Sequence, residues 1–156
     1  TRAEIEAAEP GLAKIAPPLR VALAGLGVTP ADAERLHAIW RANLAVLGAL
    51  HRAGVPIVAG TDQAIPGHSM HRELELYVEA GFTPLEAIQA ATIVPARALG
   101  KSDELGTLEV GKRADLVVVD GDPLADIGAL RRISTVVTGG RAYDTAALWR
   151  LIGFEP

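Results

Sequence analysis

The chain has 156 residues, 15 Lys and Arg against 19 Asp and Glu, and a hydrophobic content of 49%. This length fits one ordinary globular domain, and the apolar content excludes a disordered chain. A net charge of -4 with interspersed signs offers no basic stripe, so nucleic acid is not expected as a partner. No apolar run approaches the roughly 20 residues that cross a bilayer, and a membrane partner is not expected either.

The absence of cysteine excludes disulfides, zinc sites of the Cys type and thiol catalysis. It does not decide the compartment, which stays open with the cytoplasm slightly favoured. A signal peptide would have to lie upstream of Thr1.

Residues 30–53 show the apolar spacing of a long helix. Thr29 is placed to cap this helix, Pro30 suits its first position, and apolar side chains recur at intervals of three and four until Gly54 stops it. The spacing predicts that one face of the helix is buried. The Ala- and Gly-rich residues 1–27 predict only a short helix, a turn and a second, weakly specified segment.

A short apolar run rich in β-branched residues, 55–60, follows and is typical of a parallel strand buried on both faces. The loop 63–69 comes next, and then a helix is predicted over 70–80 with Gly81 as its stop. Thr83-Pro84-Leu85-Glu86 repeats the capping pattern and opens a third helix. This order of helix, strand, loop and helix indicates an α/β fold.

The periodicity changes in the second half of the chain. Residues 106–112 predict a strand and a turn, 114–120 a buried strand, and 133–138 a further strand. Gly139-Gly140 directly after the last of these is a hairpin signal. A small β module followed by a short terminal helix is therefore predicted.

Asp62 is the most informative position. A carboxylate directly after a buried parallel strand lies at the carboxyl end of the sheet, where α/β proteins bind ligands, and Gly60 allows a close backbone approach there. Asp62 is therefore a candidate metal ligand or general base. An Asp that only caps the loop through an Asx turn explains the same tripeptide, and composition alone favours that reading by about two to one.

Two of the four histidines, His68 and His71, lie near the end of the same strand. Three residues apart at a helix start, they are able to face one way. However, no His-x-His, Cys pair or His-Glu-x-x-His completes a zinc site in this chain. A packing role is favoured for His71, whereas packing and lining of a site mouth are balanced for His68.

Other polar residues are assigned to structural roles. No Gly-x-Ser-x-Gly elbow surrounds Ser69, which argues against a nucleophile. The charged residues of 72–75 predict a solvated helix edge, and Arg131-Arg132 predicts a surface pair.

Four segments follow one another in an order that is specific as a series. They are Ala53-Gly54-Val55-Pro56-Ile57-Val58-Ala59-Gly60-Thr61-Asp62; His71-Arg72-Glu73-Leu74-Glu75-Leu76 with residues 79–88; Ala90-Ala91-Thr92 with residues 95–100; and residues 106–124. Over residues 29–143 the chain resembles the carboxyl-terminal portion of a metal-dependent amidohydrolase of the imidazolonepropionase- and prolidase-like kind.

The resemblance implies a (β/α)₈ barrel with a separate β-sandwich built from both chain ends. Residues 30–53 would be the seventh barrel helix, 55–60 the eighth strand, and 107–143 strands of the sandwich. The implied domains are 1–104 for the barrel part, 105–145 for the sandwich strands, and 146–156 for a tail.

The resemblance also implies a site. Asp62 would be the aspartate that ends the eighth strand, binds a divalent metal and moves a proton from the attacking water to the departing nitrogen. Gln63 and His68, on the loop 63–69, would border the pocket of a small-molecule substrate. Zinc is the expected metal, as one or two ions whose other ligands this chain lacks.

A barrel needs about 250 residues, so the remainder of the barrel is an expected partner, as a longer protein or as a separate chain. A truncated, inactive product is the alternative explanation. The reaction expected is hydrolysis of amide, dipeptide-like or cyclic amide C–N bonds, with a deaminase of the same superfamily as an alternative. A non-enzymatic interaction domain and a degenerate supporting subunit are also open, as is a homo-oligomer.

Overall fold

Helices precede a small antiparallel sheet in the computed structural model, which describes residues 11–15, 30–62, 67–152 and 154. The helices before the sheet are α1 (Gly11–Lys14), α2 (Pro30–Arg52), α3 (His68–Glu79), α4 (Pro84–Ala90) and α5 (Ile93–Ala98). The strands are β1 (Leu116–Val119), β2 (Ile133–Thr138) and β3 (Arg141–Asp144). A 3₁₀ helix (Ile127–Arg131) lies between β1 and β2, and α6 (Thr145–Leu151) follows β3.

The predicted start and stop of α2 and the predicted capping pattern of α4 are confirmed. The cap predicted at Thr29 lies outside the described residues. Helix α2 begins at Pro30 and ends at Arg52, and Gly54 has the positive φ of 75° that suits a helix stop. At the start of α4 the Thr83 hydroxyl accepts from the Glu86 N–H, and the Glu86 carboxylate accepts from the Thr83 N–H in return. This reciprocal pair is the capping box that the sequence predicts.

The sheet has the order β1-β2-β3, and both of its strand pairs are antiparallel. Gly139 and Gly140 join β2 to β3 with φ angles of 56° and 75°, so the predicted hairpin turn is confirmed. The predicted terminal helix is α6, which occupies the first part of the predicted tail 146–156. Helix α5 and the 3₁₀ helix were not predicted.

The predicted strand 55–60 is not a strand in the structure. No described strand lies beside it, and Val55 and Val58 are 43% and 45% exposed. One backbone bond ties this segment to α4, because the Ala59 N–H donates to the Ala90 carbonyl at 2.9 Å. A parallel strand forms only when a neighbouring strand pairs with it. The β-branched residues of 55–60 favour an extended backbone, but without such a neighbour they do not form a strand.

Residues 106–112 also form no strand, and the prediction of one there is wrong. Gly106 and Gly111 have φ angles of 94° and 92°, which bend the chain, and the Lys112 N–H closes a turn onto the Glu109 carbonyl. The strand predicted over 114–120 exists as β1, but it is not a buried one, because its central valines are about half exposed.

The main core lies where α3, α4 and the 3₁₀ helix meet. Its buried residues are Leu74, Tyr77, Phe82, Ala87, Ala90 and Ile127. A second, smaller cluster joins both ends of the described chain and consists of Leu12, Ile15 and Phe154 with Trp149 packed against them. Ile15 and Phe154 also form an isolated antiparallel bridge.

The apolar face of α2 is largely uncovered. Ile39, Trp40 and Leu50 are 45%, 38% and 42% exposed, so the prediction that this face is buried is wrong for the chain by itself. None of the described helices combines the length and the hydropathy that a membrane-spanning segment requires.

Candidate active site

Asp62 lies exposed at the end of the segment that leads out of the core. Its φ angle of 44° makes it the only non-glycine residue with a positive φ in the described part of the chain. Asp tolerates this left-handed conformation better than most residues, but it still costs energy, and such strained positions cluster at functional sites. Gln63 is outside the described residues.

Helix α3 fixes the backbone just before Asp62. The carboxylate oxygen Oε1 of Glu73 accepts from the Gly60 N–H at 2.8 Å and from the Tyr77 hydroxyl at 2.6 Å. The same hydroxyl lies 3.4 Å from the Val58 carbonyl oxygen. Burial raises the pKa of Tyr77 far above its ordinary value, and the bond to the Glu73 carboxylate raises it further. This phenol is therefore a permanent donor.

An open groove of about 640 Å³ runs between α2 and α3 beside this segment. Its lining residues come from α2, from the backbone before Asp62 and from one face of α3: Trp40, Asn43, Leu44, Leu47, Gly60, Thr61, Ser69, Arg72, Glu73, Leu76 and Tyr77. The Arg72 guanidinium lies 5.6 Å from the centre of the Trp40 ring and bridges the two helices. In this groove, polar groups of α3 lie next to the backbone that leads to Asp62.

Glu75 binds the 3₁₀ helix to α3. Its two carboxylate oxygens accept from Arg131 Nε at 2.6 Å and Nη2 at 3.1 Å, and Arg72 Nη1 lies 3.2 Å from Oε2. Burial alone would raise the pKa of Glu75, but the bonds and charges of Arg131 and Arg72 hold it below its ordinary value. The predicted solvated helix edge is therefore wrong, because Glu75, Arg72 and Arg131 form one half-buried network. The predicted surface arginine pair is wrong for Arg131 only, since Arg132 is exposed.

His68 is a packing residue in this structure. It is the first residue of α3 rather than a loop residue as predicted, and its ring is buried 5.0 Å from the Trp149 ring and 6.1 Å from that of Phe154. Both ring nitrogens lack a hydrogen-bond partner among the described residues. Burial lowers the pKa of His68, and the charges of Arg131 and Lys14 lower it further. A substrate-binding role for His68 stays a prediction.

His71 is the group through which we expect stability to depend on pH. Burial lowers its pKa from 6.5 to about 4, with Arg131 and His68 adding to the shift and Glu75 opposing it. Between these two values the unfolded chain binds the proton that the folded chain does not, so protonation favours unfolding. We expect the free energy of unfolding to fall as the pH is lowered from about 6.5 towards 4.

Urea unfolding at a series of pH values checks this expectation. The variant His71→Gln has no titrating imidazole at this position and should show a shallower fall over the same window. Equal slopes for the two proteins would show that His71 is not the group responsible.

Among the described residues, no three His, Asp or Glu side chains come together as a metal site. Asp62 fits one position of such a site, because its carboxylate supplies an exposed oxygen donor of the kind that zinc accepts. At least one ligand of a three-ligand site would therefore lie outside the described residues.

Comparison with known proteins identifies the chain's relatives. The family model described as Amidohydrolase family matches residues 18–143. The chain belongs to the amidohydrolase family. The resemblance inferred from the four sequence segments is thereby confirmed.

Among curated relatives, ochratoxinase of Aspergillus niger is 35% identical over 124 residues, which cover 76% of this chain and 26% of that protein. Imidazolonepropionase of Geobacillus kaustophilus is 38% identical over 97 residues, covering 57% of this chain and 23% of the relative. This amidohydrolase chain thus spans about a quarter of the length of the curated relatives it matches.

Solved structures with similar folds also match this chain. The crystal structure of A. niger ochratoxinase matches with a TM-score of 0.64 and 32% identity over 80% of this chain and 30% of that one. A Xaa-Pro dipeptidase with bound methionine matches with a TM-score of 0.60 and 35% identity over 65% and 25% of the two chains.

Two residues of the site were not predicted from the sequence. Glu73 was assigned to a solvated edge, and Tyr77 was not singled out. Their separation of four residues on a predicted helix is the signal that would have paired them.

Proposed function

We propose that the protein containing this chain is a metal-dependent hydrolase of C–N bonds, to which the chain contributes Asp62 and part of the substrate pocket. The observation that carries this proposal is membership in the amidohydrolase family over residues 18–143, a range that includes Asp62. The left-handed backbone at Asp62 and the polar groups of α3 beside it support a functional role for this position.

In this proposal, α2 is the seventh helix of a (β/α)₈ barrel, and residues 107–143 belong to a β-sandwich. Residues 55–60, which are unpaired in the described part of the chain, pair as the eighth strand when the neighbouring strands of the remaining barrel are present. Three uncovered apolar surfaces support this arrangement: one face of α2, the valines of 55–60, and the valines of β1. Exposed apolar surface of this extent is typical of a region that packs against further protein. The remainder of the barrel is therefore the proposed partner.

Asp62 is proposed to act as a metal ligand and as the proton acceptor of the reaction. Its carboxylate takes the proton of the attacking water and delivers it to the departing nitrogen, so that the amine leaves neutral. A bound divalent metal, for which we propose zinc, lowers the pKa of water towards about 7 and polarises the substrate carbonyl. The backbone bonds of Gly60 and Ala59 hold the segment that presents Asp62.

The proposed substrates are small amides, including dipeptide-like and cyclic amides. The names of two relatives support this class, because one is a Xaa-Pro dipeptidase and the other an imidazolonepropionase. A deaminase is distinguished by its product, since it releases ammonia from an aminated ring rather than an amine from an amide.

Removal of the metal tests this function. In the active protein, hydrolysis of Xaa-Pro dipeptides or N-acyl amino acids should be abolished by the chelator 1,10-phenanthroline and restored by added zinc. The non-chelating isomer 1,7-phenanthroline, at the same concentration, should leave the activity unchanged. Hydrolysis that survives complete removal of metal would contradict the proposal. A stable and functional 16.3 kDa monomer that binds no zinc would contradict it as well.

A further inference from the structure

We propose that Glu73 is a positioning residue for Asp62. Its carboxylate holds the backbone at Gly60, two residues before Asp62, and thereby sets where the Asp62 carboxylate lies. This inference rests on the proposed function of Asp62 and adds to it a residue that acts through the backbone rather than on the substrate.

The bonding pattern of Glu73 carries the inference. One oxygen, Oε1, accepts from both the Gly60 N–H at 2.8 Å and the Tyr77 hydroxyl at 2.6 Å. Tyr77 is 6% exposed, and its ring lies 5.1 Å from that of Phe82 in the main core. Glu73 therefore connects a hydroxyl that is anchored in the core to the segment that ends at Asp62.

The Glu73 bond acts on an open part of the backbone. A Cβ at position 60 would meet no atom within 4 Å, so no side chain packs on that side of Gly60. Two residues later the chain adopts the left-handed conformation of Asp62, which persists only where the surroundings impose it. The Glu73 bond supplies such a constraint, together with the bond from the Ala59 N–H to α4.

Precise placement matters for a proton acceptor. A displacement of about 1 Å at a reacting group costs on the order of 10²-fold in rate. Loss of the Glu73 bond should therefore lower turnover without removing any group from the substrate. Because Glu73 also lines the groove, a direct role as an acid, a base or a metal ligand is the alternative to be separated by experiment.

Two substitutions separate these roles. Glu73→Gln keeps a carbonyl oxygen that accepts both bonds but loses the negative charge and the basicity of the carboxylate. Glu73→Leu loses both bonds at similar size. If Glu73 positions the backbone, Glu73→Gln keeps kcat within about threefold, and Glu73→Leu lowers it by on the order of 10²-fold with KM little changed.

Kinetics of the active protein provide the first measurement, with Glu34→Leu as a matched control, because Glu34 is an exposed helical glutamate that does not line the groove. This control should keep its turnover. A loss in Glu73→Gln as large as that in Glu73→Leu would overturn the positioning role in favour of a role for the charge.

Amide hydrogen exchange of the peptide that contains Gly60 provides a readout independent of activity. The Gly60 N–H should exchange at least about tenfold faster in Glu73→Leu and at the wild-type rate in Glu73→Gln, because an amide exchanges only when its bond opens. If Glu73→Leu does not fold, Tyr77→Phe weakens the same connection and should give a smaller rise. Unchanged exchange at Gly60 in Glu73→Leu, or in Tyr77→Phe if Glu73→Leu does not fold, overturns the inference.

The exchange measurement also separates this inference from the proposed function. Normal exchange at Gly60 in Glu73→Leu, together with lost turnover in Asp62→Asn, overturns the positioning role alone. Fast exchange in Glu73→Leu, together with full turnover in Asp62→Asn, establishes the backbone connection and overturns the proposed catalytic role of Asp62.

Discussion

Replacing Asp62 by Asn is expected to lower kcat by about 10²- to 10⁴-fold, the range that a positioned general acid or base contributes. The amide has the size of the carboxylate but neither its charge nor its affinity for a proton. Asn also tolerates the left-handed backbone found at position 62, so the conformation of the segment should be retained. Steady-state kinetics of the active protein on an amide substrate measure the effect.

The matched control for this variant is Asp103→Asn, an equally conservative change at an exposed aspartate of a surface turn. Its turnover should equal that of the wild type. Bound zinc, counted by elemental analysis, should fall in Asp62→Asn but not in Asp103→Asn. Normal turnover and full metal content in Asp62→Asn would show that another group carries the chemistry.

Replacing Phe82 by Ala is expected to have the largest effect on stability, about 3–5 kcal/mol of the free energy of unfolding. Phe82 is 6% exposed and contacts both α2 and α3 from the loop between α3 and α4. Its ring stacks on His51 at the end of α2 at 3.7 Å and lies 5.1 Å from Tyr77 on α3. Truncation removes these contacts and leaves a cavity in the main core.

Urea unfolding of the protein that contains this chain measures this loss, with Leu99→Ala as the control. Leu99 is 75% exposed, so removal of its side chain should change the free energy of unfolding by less than about 0.5 kcal/mol. Similar losses in the two variants would show that Phe82 does not anchor the core.

Local signals in the sequence predicted those features that depend on a few neighbouring residues. The start and stop of α2, the capping box of Thr83 and the Gly139-Gly140 hairpin are each decided within one or two turns of chain. Such features follow from side-chain bonds to nearby backbone and from the φ angles that glycine permits.

Burial was not predictable in the same way. Periodicity along α2 identifies which face is apolar, but it does not say what covers that face, and Ile39 and Leu50 remain exposed. The run 55–60 has the composition of a buried strand, yet pairing depends on neighbouring strands that the described residues do not supply. Both errors have the same physical origin. Burial requires two surfaces in contact, and the sequence of one segment describes only one of them.

The same distinction between local and long-range features applies to the residues of the candidate site. Asp62 was found from its position after an apolar run. Glu73 was missed because its bond to Gly60 crosses 13 residues and exists only in the folded chain. His68 was placed in a loop because the sequence signals for α3 begin two residues after the helix does.

The most direct test of the central claim is an anomalous-scattering map of the active protein that contains this chain, recorded from crystals with zinc. We predict a zinc peak about 2.0–2.2 Å from a carboxylate oxygen of Asp62, the distance of a direct bond. A fully occupied zinc site in a catalytically active crystal, with the Asp62 carboxylate outside its coordination sphere, would contradict the account.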